Sequence, residues 1–289
     1  MFDHIECFYR PSTLREALSL LRQAGKHGRI VAGATDIVTQ ADRSTRTLID
    51  ITRLGLNYVR GNGRGCVIGA TTTMAALEHS AVIRAFAGGI LATAASTCGS
   101  IQNRNMATVG GNLANASPAA DTAAVLLALD AEVVLANSRR KRKISLADFY
   151  SALPSAAKNG ELLEEVIIPA PPGGGRWGWS FQKLGRTATD ISLVNVAAGL
   201  QADARGRIRC ARLALGAVAP TPMRAREAEA LMAGNPFGED LLARVGEAVS
   251  KEVSPISDGR ASAEYRREMS AVLARRALRA CAAQAGFKL

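Results

Sequence analysis

The sequence runs to 289 residues, is 48% hydrophobic, and sets 36 basic against 25 acidic side chains for a formal net charge of +11. That length and apolar content predict two or three compact globular units; no run reaches membrane-spanning length and the opening Met1-Phe2-Asp3-His4-Ile5-Glu6 has no basic leader, so the cytoplasm is the expected location. The cysteines Cys7, Cys66, Cys98, Cys210 and Cys281 stand far apart with no Cys-x-x-Cys or Cys/His pairing at metal-ligand spacing, which predicts reduced, part-buried thiols.

In chain order, residues 10–51 read as a small α/β unit. Thr13 and Glu16 form a capping box, and Leu14, Ala17, Leu18 and Leu21 follow at helical spacing. Residues 29–32 and 47–51 are short β-type runs on either side of a glycine turn. Tyr58-Val59-Arg60, the turn Gly61-Asn62-Gly63 and Cys66-Val67-Ile68 predict a hairpin. Helices are expected over 74–78 and 81–95, then a long irregular glycine- and asparagine-rich segment over 99–121, then a helix over 122–129. Strands follow at 132–135 and 162–168. Between them Arg139-Arg140-Lys141-Arg142-Lys143 reads as a solvated hairpin tip, with too few aromatics in the chain to suggest a nucleic-acid platform. The positive charge is assigned to solubility, an acidic partner subunit or anionic cofactors ahead of nucleic acid.

Three prolines and three glycines over 169–175 mark a linker. Beyond it, β-rich runs at 177–184, 190–201 and 208–219 read as an antiparallel meander, and helices close the chain. The last helix is expected to place Tyr265, Met269, Val272 and Leu273 on one face and arginines around the rest.

The strongest local signal is Thr108-Val109-Gly110-Gly111-Asn112 with Ser117 and Asp121 behind it. Adjacent glycines let the backbone approach a ligand and aim successive N–H groups at one point, a concavity suited to pyrophosphate. Thr108, Asn112 and Ser117 can add side-chain donors, while Asp121 can accept from a ribose hydroxyl or cap the next helix. A second glycine turn, Val31-Ala32-Gly33-Ala34-Thr35-Asp36-Ile37, directly follows a strand, and together the two suggest a dinucleotide held between loops of two subdomains. Neither is a Gly-x-Gly-x-x-Gly fingerprint or a Lys-bearing P-loop.

The series Ala32-Gly33-Ala34-Thr35-Asp36, Ile68-Gly69-Ala70-Thr71-Thr72, Gln102-Asn103-Arg104-Asn105, Thr108-Val109-Gly110-Gly111-Asn112, Ala116-Ser117-Pro118-x-x-Asp121 and Asp190-Ile191-Ser192-Leu193-Val194 is similar in order and spacing to the FAD-binding medium subunits of molybdenum hydroxylases. It resembles the corresponding domain of xanthine dehydrogenases most closely, and the resemblance spans nearly the whole chain. It implies an α+β fold: an FAD-binding domain of the vanillyl-alcohol oxidase (PCMH) type over 1–172, with subdomains of about 1–57 and 58–172, followed over 176–289 by a smaller domain of antiparallel sheet plus helices. It further implies that Ile30-Val31-Ala32-Gly33-Ala34-Thr35-Asp36-Ile37, Gln102, Thr108-Val109-Gly110-Gly111-Asn112, Ser117 and Asp121 bind FAD, with Leu163 and, after a one-residue shift, Lys183 beside the flavin. Where the family has two glycines this chain has Gly33-Ala34. A β-carbon there demands an ordinary backbone angle or displaces the phosphate.

By the same resemblance, a large partner subunit holds the molybdenum cofactor and a small one holds two [2Fe–2S] clusters. The expected assembly is a heterotrimer or a dimer of heterotrimers. The flavin passes the electrons to NAD⁺ or another acceptor, and this subunit needs no catalytic side chain and no metal of its own. The alternatives are a stand-alone flavin oxidoreductase and a basic nucleic-acid-associated module. His4 and His79 read as surface residues and His27 as part of a polar turn. Trp177 and Trp179 read as packing, Cys98 as a small core residue, and Tyr265-Arg266-Arg267 as part of a plain amphipathic helix.

Overall fold

The structure, a computed structural model, describes residues 4–40, 42–61, 65–152, 160–173 and 175–287. Three sheets follow one another along the chain. In the first lobe β1 (Cys7–Tyr9), α1 (Leu14–Ala24), β2 (Gly28–Val31), α2 (Thr35–Gln40) and β3 (Thr47–Asp50) build a three-stranded parallel sheet of order β1-β3-β2. The α1 helix starts where its capping residues place it. The Thr13 hydroxyl accepts the Glu16 N–H at 3.2 Å and the Glu16 carboxylate reaches back to the Ser12 N–H at 3.1 Å, while Ala17, Leu18 and Leu21 are buried.

The second lobe holds β4 (Val59–Gly61), β5 (Gly65–Gly69), α3 (Met74–His79), α4 (Ala81–Ala85), α5 (Ile90–Ser96), α6 (Ile101–Met106), α7 (Val109–Asn115), α8 (Asp121–Ala128), β6 (Glu132–Ala136), β7 (Lys141–Ser145), α9 (Leu146–Ser151) and β8 (Leu162–Pro169). Its five strands pair antiparallel in the order β4-β5-β8-β6-β7. The β4–β5 hairpin forms as expected; its tip, Asn62-Gly63, lies outside the described residues, as does Gly174 of the expected linker.

The C-terminal unit is the expected meander, β9 (Trp177–Leu184), β10 (Val194–Ala202), β11 (Ile208–Gly216) and β12 (Met223–Arg224), completed by α10 (Arg226–Met232), α11 (Glu239–Glu252) and α12 (Ala263–Ala285). The helix α8 lies on one face of this sheet and α12 on the other. Covered on both sides, β10 is buried at eight of its nine positions, which explains a run with no polar alternation. Trp177 and Trp179 stack on each other with ring centroids 4.8 Å apart, the packing role expected of them. Among the described residues no helix is long and apolar enough to cross a membrane.

Five expectations need correction. The helix expected over 81–95 is broken in two, because Gly88 and Gly89 both take positive φ, 63° and 73°. The segment 99–121 is not irregular: it contains α6 and α7, started by the side chains of Ser100 and Thr108, which cap the N–H groups of Asn103 and Gly111. With only six and seven residues, these helices are too short to show a periodicity. The second run of the meander begins at Val194, not at 190.

The basic cluster is only partly a solvated tip. Lys141 pairs with Glu164 at 2.7 Å, Arg142 with Glu161 through two bonds of 2.9 and 2.7 Å, and Lys143 with Glu132 at 2.8 Å. In α12 the inward face is Arg266, Ser270, Leu273, Ala274, Ala277, Leu278, Cys281, Ala282 and Ala285, and Tyr265 is exposed. Small side chains let the helix approach the sheet closely. Arg266 turns inward because its guanidinium finds the carbonyls of Leu193 and Ala217 at 3.1 and 3.2 Å and Asp258 at 2.8 Å.

The second lobe and the C-terminal unit share a buried clamp. Arg224 on β12 forks onto Glu229 of α10 at 2.5 and 2.7 Å and also donates to Asp130 at 2.5 Å and to the Leu127 carbonyl at 3.1 Å, both at the C-terminal end of α8. Removing one partner of such a buried pair strands the other charge. Arg224→Ala is expected to lower the unfolding free energy by about 3–5 kcal/mol in equilibrium denaturation, and Arg224→Met with Glu229→Leu to recover most of that loss. A single variant as stable as the parent would show that the clamp does not hold the units together.

Candidate functional site

The loop that follows β2 carries a row of backbone donors. The chain leaves the sheet at Val31 and turns directly into α2, whose first internal hydrogen bond runs from the Val38 N–H to the Ala34 carbonyl at 3.0 Å. Among the described residues, the N–H groups of residues 33–37 find no acceptor. Such a row of amides at a helix start presents partial positive charge without any basic side chain. Ile30 and Val31 pack beneath it in the first lobe. The nearest base, Arg29, is occupied with Gln40 at 2.6 Å and Asp42 at 3.5 Å. Burial pushes the Asp36 carboxyl above its ordinary value, and the Arg29 guanidinium offsets part of that.

Ala34 keeps the left-handed backbone that a glycine would take, with φ of 59°. Of the two expected outcomes, the ordinary backbone angle is not taken. Its neighbour Gly33 has no such latitude. A β-carbon on Gly33 would lie 1.8 Å from the Met106 carbonyl oxygen, so this turn of the first lobe rests directly on the end of α6 in the second. The Gln40 side chain spans the same seam and donates to Asn115 of α7 at 2.7 Å.

Opposite lies the segment with the strongest sequence signal, and its geometry differs from expectation. The N–H groups of Val109 and Gly110 donate to the carbonyls of Thr72 and Ala70 at 3.0 and 2.9 Å, and that of Asn112 to the Thr108 carbonyl at 2.9 Å. The Gly111 N–H is taken by the Thr108 hydroxyl at 3.2 Å. These amides therefore form no free concavity; they dock and cap α7. Gly110 is needed for that docking, since a β-carbon would meet Ala70 at 2.6 Å, whereas beside Gly111 only the Thr108 hydroxyl lies close. Gly111 is exposed and thus offers the open backbone face. Asn112 accepts from Thr122 at 2.7 Å through Oδ1, so its Nδ2 is the remaining donor. Gln102 is exposed on α6, and Ser117 is half-buried in the turn before α8.

Asp121 neither caps α8, whose N-cap is Ala120, nor stands free to meet a ribose. Oδ2 accepts from Lys183 of β9 at 2.7 Å and Oδ1 from Ser192 at 2.5 Å and Asn195 of β10 at 2.8 Å. Lys183 also donates to the Thr97 carbonyl at 2.8 Å. The pair is buried, with 10% and 6% of the two side chains exposed. The Cys98 thiol is pushed up to about 12 by burial first and by the Asp121 carboxylate next, so it stays protonated and unreactive at neutral pH. Leu163 lies on β8 opposite Leu135, with its side chain in the core of the second lobe.

The structure thus joins the 31–37 turn to the end of α6 and, separately, Asp121 to Lys183. Sequence reading missed Ser192, Asn195 and Thr97 as the partners of that pair, and Arg104, which ties α6 down through Glu78 at 2.9 Å and the Gly99 carbonyl at 3.0 Å. No local pattern marks the contacts of Asp121, because its partners Lys183, Ser192 and Asn195 are far from it along the chain. Among the described residues no group of three or more His, Cys, Asp or Glu side chains is placed to hold a metal ion.

Comparison with known proteins adds the following. Residues 2–171 match the family described as the FAD binding domain in molybdopterin dehydrogenase, and residues 179–281 match the CO dehydrogenase flavoprotein C-terminal domain. The chain is 31% identical to the glyceraldehyde dehydrogenase medium chain of Sulfolobus acidocaldarius, over 94% of this chain and 96% of that protein. It is 30% identical to the xanthine dehydrogenase FAD-binding subunit of Escherichia coli O157:H7, with 100% of both chains covered. The crystal structure of a Cu,Mo-CO dehydrogenase in its cyanide-inactivated form contains a chain that superposes with a TM-score of 0.92 at 32% identity, covering 99% of this chain and 100% of that one.

The two residues of the turn should respond oppositely to substitution. Ala34→Gly relieves a left-handed alanine and is expected to stabilise the chain by about 1 kcal/mol in urea denaturation. Gly33→Ala forces a β-carbon onto the Met106 backbone and is expected to cost about 1–3 kcal/mol. Equal, small effects for both would mean that the turn does not rest on α6 as described.

Proposed function

This chain belongs to the FAD-binding subunits of the molybdenum hydroxylases, and from that membership we propose that it is the electron-transferring flavin subunit of a three-subunit dehydrogenase. In this reading the companions are a small subunit with [2Fe–2S] clusters and a large molybdopterin subunit, in a cytoplasmic heterotrimer or a dimer of heterotrimers. FAD, when bound, supplies a centre that takes electrons singly from the clusters and gives them up in pairs to NAD⁺ or another acceptor.

The observation that carries the reading is the row of unclaimed amides at residues 33–37, closed against the second lobe by the missing side chain of Gly33. Such a row fits a diphosphate, whose oxygens accept several N–H bonds at once without a cationic partner. Ile30, Val31, Ala32, Gly33, Ala34, Thr35, Asp36 and Ile37 would form one wall of the cofactor site. Gln102, Thr108, Val109, Gly110, Gly111, Asn112 and Ser117 would form the other, with Gly111 and the Asn112 amide as the groups open to contact and the rest shaping the wall from behind. Leu163 and Lys183 would lie beside the flavin, and Asp121 would act there through Lys183.

The role of the protein is placement: amides orient the diphosphate, the buried lysine contributes fixed positive charge, and no side chain has to transfer a proton. The substrate of the complex is not a property of this chain. The relatives act on compounds as different as their names, glyceraldehyde, xanthine and carbon monoxide, with this subunit in common.

Purified with its companion chains, the protein is expected to be yellow, with a flavin absorption spectrum and about one FAD per copy of this chain. Gly33→Ala should weaken FAD binding at least tenfold, about 1.4 kcal/mol, by separating the two walls. A colourless chain that takes up no FAD even with its companions present would refute the reading.

A further inference from the structure

We infer that Ser192 and Asn195 are positioning residues that hold the ammonium of Lys183 toward the cofactor by saturating the far oxygen of Asp121. The inference rests on the reading that FAD, when bound, lies beside Lys183. Lys183 has three N–H donors and spends two of them inside the protein, on Asp121 Oδ2 at 2.7 Å and the Thr97 carbonyl at 2.8 Å. Whether the third stays available depends on Asp121 Oδ1, the second oxygen of the same carboxylate. That oxygen is already engaged by the Ser192 hydroxyl at 2.5 Å and the Asn195 amide at 2.8 Å.

Both residues are held rigidly. Ser192 and Asn195 are 1% and 0% exposed. Asn195 is wedged against Gly216, where a β-carbon would come within 2.5 Å of its Oδ1. Its Oδ1 has no hydrogen-bond partner, so the orientation of the amide is set by its donor end: turned over, it would set oxygen against the carboxylate. The pair therefore donates to Asp121 in one geometry and confines Lys183 to the other oxygen. Neither residue need touch the cofactor.

Without the Ser192 hydroxyl, the freed Oδ1 lone pair competes for the third donor of Lys183. The ammonium is drawn back onto the carboxylate, and the positive field at the flavin weakens. Because positive charge nearby stabilises the reduced, more anionic flavin, its reduction potential must fall.

The test uses the full chain in its complex, with FAD content read from absorbance and the flavin midpoint potential from a spectroelectrochemical titration. Lys183→Met is the reference for complete loss of the charge. Ser192→Ala is expected to keep its FAD and to shift the potential negative, in the same direction as Lys183→Met, by about tenfold in the two-electron equilibrium, or about 30 mV. Ser192→Thr, which keeps a hydroxyl, is expected to restore the parent value. Should Ser192→Ala not retain the cofactor, Ser192→Cys replaces it with a weak donor: an intermediate potential supports the inference and a parental one overturns it. A parental potential in Ser192→Ala alongside a shifted Lys183→Met would overturn the positioning role while leaving the FAD assignment intact. A shift in Ser192→Ala with none in Lys183→Met would also overturn it, since the effect would not pass through the lysine. If the parent complex itself holds no FAD on this chain, the functional reading fails together with the inference.

Discussion

The helix α8 is buried at all eight positions, between α5, α7 and α9 of the second lobe and the sheet of the C-terminal unit. A helix in that setting cannot leave polar groups at its ends to water. The C-terminal unit supplies partners at both: Lys183, Ser192 and Asn195 meet Asp121 in the first turn, and Arg224 meets the Leu127 carbonyl and Asp130 in the last. An acid in the first turn and a cation at the last also match the helix dipole. Packing α8 between a layer of helices and a sheet therefore fixes more than the core. It sets which residues of the meander must be polar, and it brings Lys183 against Thr97 at the end of α5.

The cradle follows a different electrostatic logic. Although the net charge is +11, Arg29 of β2 and Arg104 of α6 are occupied, Arg29 with Gln40 and Asp42 and Arg104 with Glu78 and the Gly99 carbonyl. What the turn offers an anion is backbone dipole, fixed in direction by the strand before it and the helix after it. That arrangement explains why a strained Ala34 persists. Its left-handed φ of 59° is enforced by a neighbour that cannot move, because Gly33 is seated on the Met106 carbonyl.

Much of the architecture was legible because it rests on local pattern. The capping box at Thr13, the first strand of the meander and the 31–37 turn stand where periodicity and turn chemistry put them. Errors arose where one pattern serves two ends. Thr108-Val109-Gly110-Gly111-Asn112 reads as a ligand loop because paired glycines permit close approach, but sequence does not say to what. In the structure Gly110 approaches Ala70 and only Gly111 is open. Likewise, a helical wheel places Arg266 among the outward arginines; it is drawn inside by carbonyls of Leu193 and Ala217, 73 and 49 residues away in sequence, which no wheel contains.

The same separation explains why the Asp121 cluster was only half visible. Its donors stand 62, 71 and 74 residues from the carboxylate, and they become neighbours only after the meander has folded and docked on α8. Before docking, Asp121 and the Leu127 carbonyl at opposite ends of α8 would both lack their partners, and the apolar flank of the helix that packs on β10 and β11 would face water. The C-terminal unit is thus required for the second lobe to be complete, because it supplies the partners of Asp121 and closes both ends of α8. Division of the chain into a binding domain and an appended domain describes its connectivity, whereas the buried ion pair requires the two to be built as one.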